Sequence, residues 1–205
     1  MGENIALDLP YPKIEKTTPF FLTAEEYNRI IEHFGKNADS LAGLRNLVMV
    51  LMLGMLGLRT STLITLNIEH IDLAAGLALV REKGDRRRHM VLPELLVKVL
   101  AAYLDRLGLN NGPLFLSTRN KRISPRTLQD IFRAAADKLG IDRPLHARLF
   151  RHTAATLLNK AAGTTVTQTV LGHERRHNTL RYTHLNPDKY ALYMKRHPFM
   201  REGRS

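Results

Sequence analysis

From His146 to His184 the chain reads HARLFRHTAATLLNK and then AAGTTVTQTVLGHERRHNTLRYTH, which gathers arginines, histidines and a single tyrosine around a short apolar helix and a Gly-His turn. Cations beside one phenol are suited to chemistry on a phosphate. When a phosphodiester is attacked, negative charge builds on its non-bridging oxygens, and arginine's planar, permanently charged fork can bind two of them at once. Arg151 sits in the apolar setting LFRHTAATLL, and Arg59 follows the apolar run that ends MLGL. Burying either charge without an anionic partner is unfavourable, which separates these two from arginines on solvated faces. Tyr182 is the candidate nucleophile, because nearby cations favour the phenolate of a group whose ordinary pKa is about 10. Its spacing from His173 sets it apart from Tyr190 and Tyr193, which read as packing residues.

A second pattern occupies the same stretch. His173-Glu174-Arg175-Arg176-His177 matches HExxH, which on a helix aligns two histidines for zinc. Gly172 directly precedes the first histidine, where a continuous helix is required, and NTLRYTH lacks the glycine spacing of the extended motif. A zinc hydrolase would also leave Arg59, Lys83 and Arg151 without a purpose, so no metal is expected.

The whole composition agrees with a phosphate-rich partner. The 205 residues carry 31 Lys and Arg against 19 Asp and Glu, a formal net charge of +12. Such an excess favours a polyanion, since each neutralised phosphate releases condensed counterions. The candidate DNA contacts are Arg81, Arg86, Arg87 and Arg88, then Lys121, Arg122 and Arg126, then Arg175 and Arg176. These clusters lie in turns and among His and Thr rather than along an amphipathic helix, which disfavours a membrane surface. Cysteine is absent, so disulfides, thiol catalysis and Cys-ligated zinc are excluded. The first twenty residues show no apolar signal core, and the apolar run Leu47 to Leu58 is too short to span a bilayer. A cytoplasmic location is the expectation.

The elements that must position these residues are mostly helices. Residues 1–20 read as an extended arm or linker remnant, and 21–205 as one domain. Thr23-Ala24-Glu25-Glu26 is a capping box opening a helix with Tyr27, Ile30, Ile31 and Phe34 on its apolar face. Ser40 caps LAGLRNLVMVLMLGML, apolar on most faces and so expected at the centre of the core. A short helix over 61–66 follows. Stretches 76–81 and 89–92 flank Glu82-Lys83-Gly84-Asp85 as a β-hairpin or small sheet. Pro93 starts a helix with a stripe of Leu95, Leu96, Val99, Leu100 and Tyr103, and Leu114–Leu116 is strand or extended chain. Ser124-Pro125 opens a helix that Gly140 stops. Helices over 149–160 and 164–170 are divided by Gly163, and Asn186-Pro187-Asp188 opens a last short one. The fold class is mainly α with a small antiparallel β-sheet.

Taken in order, Arg59 after Gly-Leu, Lys83 in a Lys-Gly hairpin, Arg151 in LFRHTAATLLN, and His173 in VLGHERRHNTLRYTH nine residues before Tyr182 resemble the catalytic domain of the tyrosine recombinases, the phage integrase family. The resemblance spans about residues 40–196. It implies a site-specific recombinase that cleaves and rejoins double-stranded DNA through a 3′-phosphotyrosyl link, for integration, excision or inversion, without a cofactor. Arg59 and Arg151 would hold the phosphate, Lys83 would protonate the departing 5′ oxygen, and His173 would bond the phosphate or assist the proton traffic. His152 would make a structural hydrogen bond on the helix interior. By the same resemblance the assembly is a homo-tetramer on two DNA sites, with residues 187–197 docking on a neighbouring subunit or folding back. The position of Arg59 so near the start implies that the family's N-terminal core-binding domain is absent, as in a single-domain recombinase or a catalytic fragment.

Two departures from the pattern bear on mechanism. Arg148 stands where the family usually has a histidine three residues before the second arginine. Arginine does not accept a proton, so Arg148 would add a third cation and leave the tyrosine proton to His173, solvent or, if the loop bends, His146. Thr62 replaces a common glutamate after the first arginine, which would loosen the ordering of Arg59. A non-catalytic DNA-binding relative is the alternative these departures leave open.

Overall fold

The computed structural model describes residues 21–82 and 85–171, and six α-helices, a short 3-10 helix (Ile68–His70) and three strands are found there. Helix α1 (Ala24–Lys36) opens on the expected box: the Thr23 side chain accepts from the Glu26 N–H, and the Glu26 carboxylate accepts from the Thr23 N–H. Ser40 caps α2 (Leu41–Leu56) by accepting from Gly43 N–H. Val48 to Leu56 of α2 are all buried, so this helix is the axis around which the rest packs. Gly54 lets α1 approach, since a Cβ there would lie 2.2 Å from the Tyr27 hydroxyl oxygen.

Gly57 ends α2 in the left-handed region, φ 60°, and the chain enters the short α3 (Thr60–Ile64) with Arg59 at its N-cap. A three-stranded antiparallel sheet follows in the order β1 (Ile71–Asp72), β2 (Leu77–Arg81), β3 (Arg87–Val91). Its longest pairing runs from Leu77 opposite Val91 to Arg81 opposite Arg87, and Glu82 N–H donates to the Arg86 carbonyl at 2.8 Å just beyond it. β1 makes the pair the small sheet that the sequence allowed, although two residues are too few to register as an alternating pattern.

Helix α4 (Glu94–Leu107) packs Leu96, Leu100 and Tyr103 inward, whereas Leu95, expected in the same stripe, is 44% exposed. The stretch Leu114–Leu116 is not a strand; isolated bridges at Pro113 and Leu116 bracket it. Tyr103 donates to the Leu114 carbonyl at 2.8 Å, and Arg45 Nη1 to the Leu116 carbonyl at 2.5 Å. Helix α5 (Pro125–Leu139) begins at the Ser124 cap and stops at Gly140, φ 60°.

The last described element, α6 (Ala147–Leu171), is two helical pieces joined at Gly163, whose φ 82° and ψ 171° are not helical. It starts two residues before the expected position because His146 acts as its cap, its Nδ1 accepting from Leu149 N–H at 3.0 Å. Histidine is outside the usual capping set, which hid this start. Leu149, Phe150, Thr153, Ala154 and Leu158 form the buried stripe of the first piece. Phe150 stacks on Phe132 of α5, centroids 5.1 Å apart, and meets Tyr27 of α1 edge-on at 6.3 Å. Thr153 accepts from Leu22 N–H and donates to the Leu149 carbonyl, both at 2.9 Å. Among the described residues no helix is long and apolar enough to cross a membrane.

Candidate phosphate site

The rotation of α6 decides what faces outward. With Phe150 and Thr153 fixed in the core, the helical repeat brings residues 148, 151, 152 and 155 onto one neighbouring stripe. Arg148, Arg151, His152 and Ala155, together with Leu58, Arg59, Thr60 and Ala147, line a cleft of about 320 Å³ between α6 and the α2–α3 junction. Two arginines separated by ninety-two positions therefore share one concavity, as the sequence pattern requires.

Arg151 is the best fixed of the cations. Its Nη1 donates to the Gly57 carbonyl at 2.5 Å and its Nη2 to the Leu171 carbonyl at 2.6 Å, so one guanidinium joins the end of α2 to the end of α6. Gly57 is required there: a Cβ at its positive φ would lie 2.4 Å from Leu171 Cδ2. Burial pushes the Arg151 pKa down to about 10, with Arg59 lowering it further, Glu82 opposing, and Arg88 again lowering it. Arg151 remains a cation at neutral pH. The mutual repulsion of these guanidinia is relieved by an anion in the cleft.

Arg59 reaches the cleft from the α3 N-cap, and its Nη1 lies 3.6 Å from Glu82 Oε1. The same carboxylate oxygen is 3.1 Å from Arg88 Nη2. Thr62 is buried and donates to the Arg81 carbonyl at 3.3 Å. The expected loosening of Arg59 at Thr62 therefore meets a carboxylate from the hairpin instead, one the sequence reading did not include. A glutamate directly preceding the hairpin lysine was the available signal.

His152 differs from its expectation. It does not point into the helix interior; it is exposed, lines the cleft, and its Nε2 accepts from Arg148 Nε at 3.3 Å one turn away. Burial, then Arg148, Arg151 and His146, lower its pKa, so the ring is neutral at pH 7. His146 is occupied by capping α6 and is not among the cleft-lining residues.

The outer basic residues divide into two groups. Arg86, Arg87, Lys121 and Arg126 are exposed, and Arg81 is paired with Asp85 at 2.5 Å on the surface. Arg122 and Arg88, also read as DNA contacts, have their guanidinium groups engaged within the protein. Arg122 donates to the carbonyls of Ile64 and Leu66 and to Asn67 Oδ1, at 2.8, 2.9 and 2.5 Å, and so fastens the chain that follows α3. Arg88 is committed to Glu82. Lys83, His173, Arg175, Arg176 and Tyr182, with the HERRH pattern, lie outside the described residues.

Comparison with known proteins agrees with this geometry. The model of the phage integrase family matches residues 20–189. Tyrosine recombinase XerC of Pelotomaculum thermopropionicum is 32% identical over 207 residues, covering 95% of this chain and 67% of the relative. The crystal structure of XerA recombinase superposes with a TM-score of 0.68 at 32% identity, covering 98% of this chain and 71% of that one. A lambda integrase tetramer bound to a Holliday junction shares the fold, with a TM-score of 0.61 at 21% identity over 80% of this chain and 50% of that one. The chain belongs to the phage integrase family of tyrosine recombinases, enzymes that break and rejoin DNA. It spans about two thirds of the length of the curated relatives it matches.

Proposed function

We propose that this chain carries out site-specific DNA strand exchange, with the cleft as the seat of the scissile phosphate and Tyr182 as nucleophile. The observation that carries this reading is the convergence of Arg59, Arg148 and Arg151 on one concavity, Arg59 coming from an element remote in sequence from the helix that carries the other two. The Tyr182 oxygen attacks phosphorus, and the bond from phosphorus to the 5′ oxygen breaks. Lys83 gives that oxygen its proton, so a 3′-phosphotyrosyl link and a 5′-hydroxyl result. A 5′-hydroxyl of another strand then attacks the link and regenerates the phenol. The link conserves the bond energy, so the chemistry needs no nucleotide.

With arginine at position 148, the tyrosine proton needs another acceptor. The neutral ring of His152 in the cleft, His173 and solvent are the candidates, and His152 serves only once its Nε2 releases the N–H that it accepts from Arg148. The proposed working assembly is a tetramer on two DNA sites, a reading supported by the lambda integrase tetramer bound to a Holliday junction, and residues 187–197 would dock on a neighbour or fold back.

The test uses the full chain and a pool of nicked duplexes with randomised sequence, in which cleavage next to the nick releases a short fragment and traps the covalent complex. Adducts that survive denaturation are isolated and their DNA sequenced, which also yields the target. The expected result is an adduct from the wild type and none from Y182F. An adduct of equal yield from Y182F refutes the assignment.

A further inference from the structure

Glu82 lies between two arginines at the rim of the cleft, 3.6 Å from Arg59 Nη1 and 3.1 Å from Arg88 Nη2, with its own side chain only 13% exposed. Its backbone N–H donates to the Arg86 carbonyl at 2.8 Å, which ties it to the end of the β2–β3 ladder. Its charge is felt within the cleft, where it favours the charged form of Arg151 against the effects of Arg59 and Arg88. Across from it, buried Thr62 bonds the carbonyl of Arg81, the residue before Glu82. Position 62 thus faces the same corner of the molecule with a hydroxyl in place of a carboxylate.

We propose that Glu82 is the positioning residue for Arg59, and that it supplies from the hairpin the carboxylate that position 62 lacks. The proposal rests on the DNA-cleavage reading and adds the device that holds its most exposed clamp. Arg59 rises from a helix cap on a long side chain 39% exposed, and without a fixed anion it has many rotamers to choose from. A half-buried carboxylate tied to a β-ladder narrows that choice. Because Arg88 approaches the same oxygen, Glu82 stays in place when Arg59 turns to a phosphate.

This role has a signature that a merely structural one lacks. A carboxylate among guanidinia weakens the ground-state attraction for phosphate while it orders the clamp. Removing it therefore separates binding from chemistry. Misplacing a catalytic group by about 1 Å lowers rates by roughly 100-fold, so E82Q is expected to form adduct 10- to 100-fold more slowly, on that basis, while binding DNA as tightly as the wild type or more so. A simple folding defect would weaken binding as well and lower the melting temperature.

The experiment measures adduct rate, DNA affinity and melting temperature for the full-length wild type, E82Q, R59A, R59A/E82Q and E82Q/T62E, on the target recovered from the duplex pool. The Arg59 Nε–H resonance is followed by NMR on DNA-free protein. Expected are a slowed E82Q with unchanged affinity, no further loss from E82Q when Arg59 is absent, and recovery of both rate and resonance in E82Q/T62E. An equal additional loss in the R59A background, or failure of T62E to restore either reading, overturns the proposal. Because Glu82 precedes Lys83, a substrate with sulfur as the bridging 5′ atom is included. Thiolate leaves without a proton, so full recovery of E82Q on it would mean that the effect runs through Lys83, and would also overturn the proposal. If the wild type forms no adduct, the cleavage reading fails by itself, and the Arg59 resonance still decides whether Glu82 holds that side chain.

Discussion

The cleft is built from two regions held by different physics. On the α6 side, Arg148, Arg151 and His152 are one helical stripe whose direction is set by the buried Phe150 and Thr153. Arg151 is anchored there by two backbone carbonyls, which do not titrate and are little affected by salt. On the hairpin side, Arg59 is held by an ion pair to Glu82 that Arg88 shares, near the surface. Ion pairs that reach the surface on one side weaken as salt rises. One side is therefore rigidly preformed, and the other is adjustable and responds to the medium.

The largest effect is expected from breaking the rigid side. R151A removes a donor from the transition state and disconnects the ends of α2 and α6, and losing one such donor lowers rates by roughly 100- to 1000-fold. R151K should not recover the rate, since an ammonium does not reproduce the planar fork that spans both carbonyls. Single-turnover adduct rates check both. G57A attacks the same joint through the backbone. A Cβ there occupies a left-handed conformation and overlaps Leu171, so chemical denaturation should show a loss on the order of 3 kcal/mol.

Smaller effects separate structural cations from DNA-facing ones. R122A leaves three acceptors without their donor and should lower stability by about 1–3 kcal/mol, with no change in the salt dependence of DNA binding. R87A should do the reverse, reducing the salt slope by about 1 with stability unchanged. A steep loss of salt dependence in R122A would return that residue to the DNA surface.

The smallest expected effect is a titration. Folded His152 takes up its proton at lower pH than it does in the unfolded chain, because burial and three neighbouring cationic or ionisable groups oppose the charge. Proton uptake then favours unfolding, so the stability due to this ring is present above pH 6.5 and is lost as pH falls below it. In R148A the His152 pKa, read by NMR, should move upward, since a cation is removed. A downward shift would show that the Arg148 hydrogen bond is not what holds the ring in the cleft.

The sequence carried the parts of this architecture that depend on local chemistry. Thr23 with Glu26, Ser40, and Ser124 with Pro125 announced three helix starts, and the unbroken apolar run of α2 announced a buried axis. Arg59 and Arg151 were legible because their apolar surroundings demanded a reason for charge. Features that depend on tertiary approach were not. His146 caps a helix despite its residue type, and Arg122 turns inward to carbonyls more than fifty positions away. His152 faces the cleft because Phe150 fixes the helix rotation, a fact no local spacing contains. Glu82 escaped notice because a glutamate in a hairpin tip is ordinarily a solvated charge, and only the fold brings Arg59 to it.

The central claim is that the cleft presents one phosphate to one phenol, and the attachment point tests it most directly. The covalent complex from the duplex pool is digested with protease and nuclease, and the peptide that retains nucleotide is identified by mass spectrometry. The account predicts a single modified peptide bearing a 3′-linked nucleotide on Tyr182. Attachment at Tyr190, Tyr193 or a serine, with Tyr182 unmodified, would contradict it.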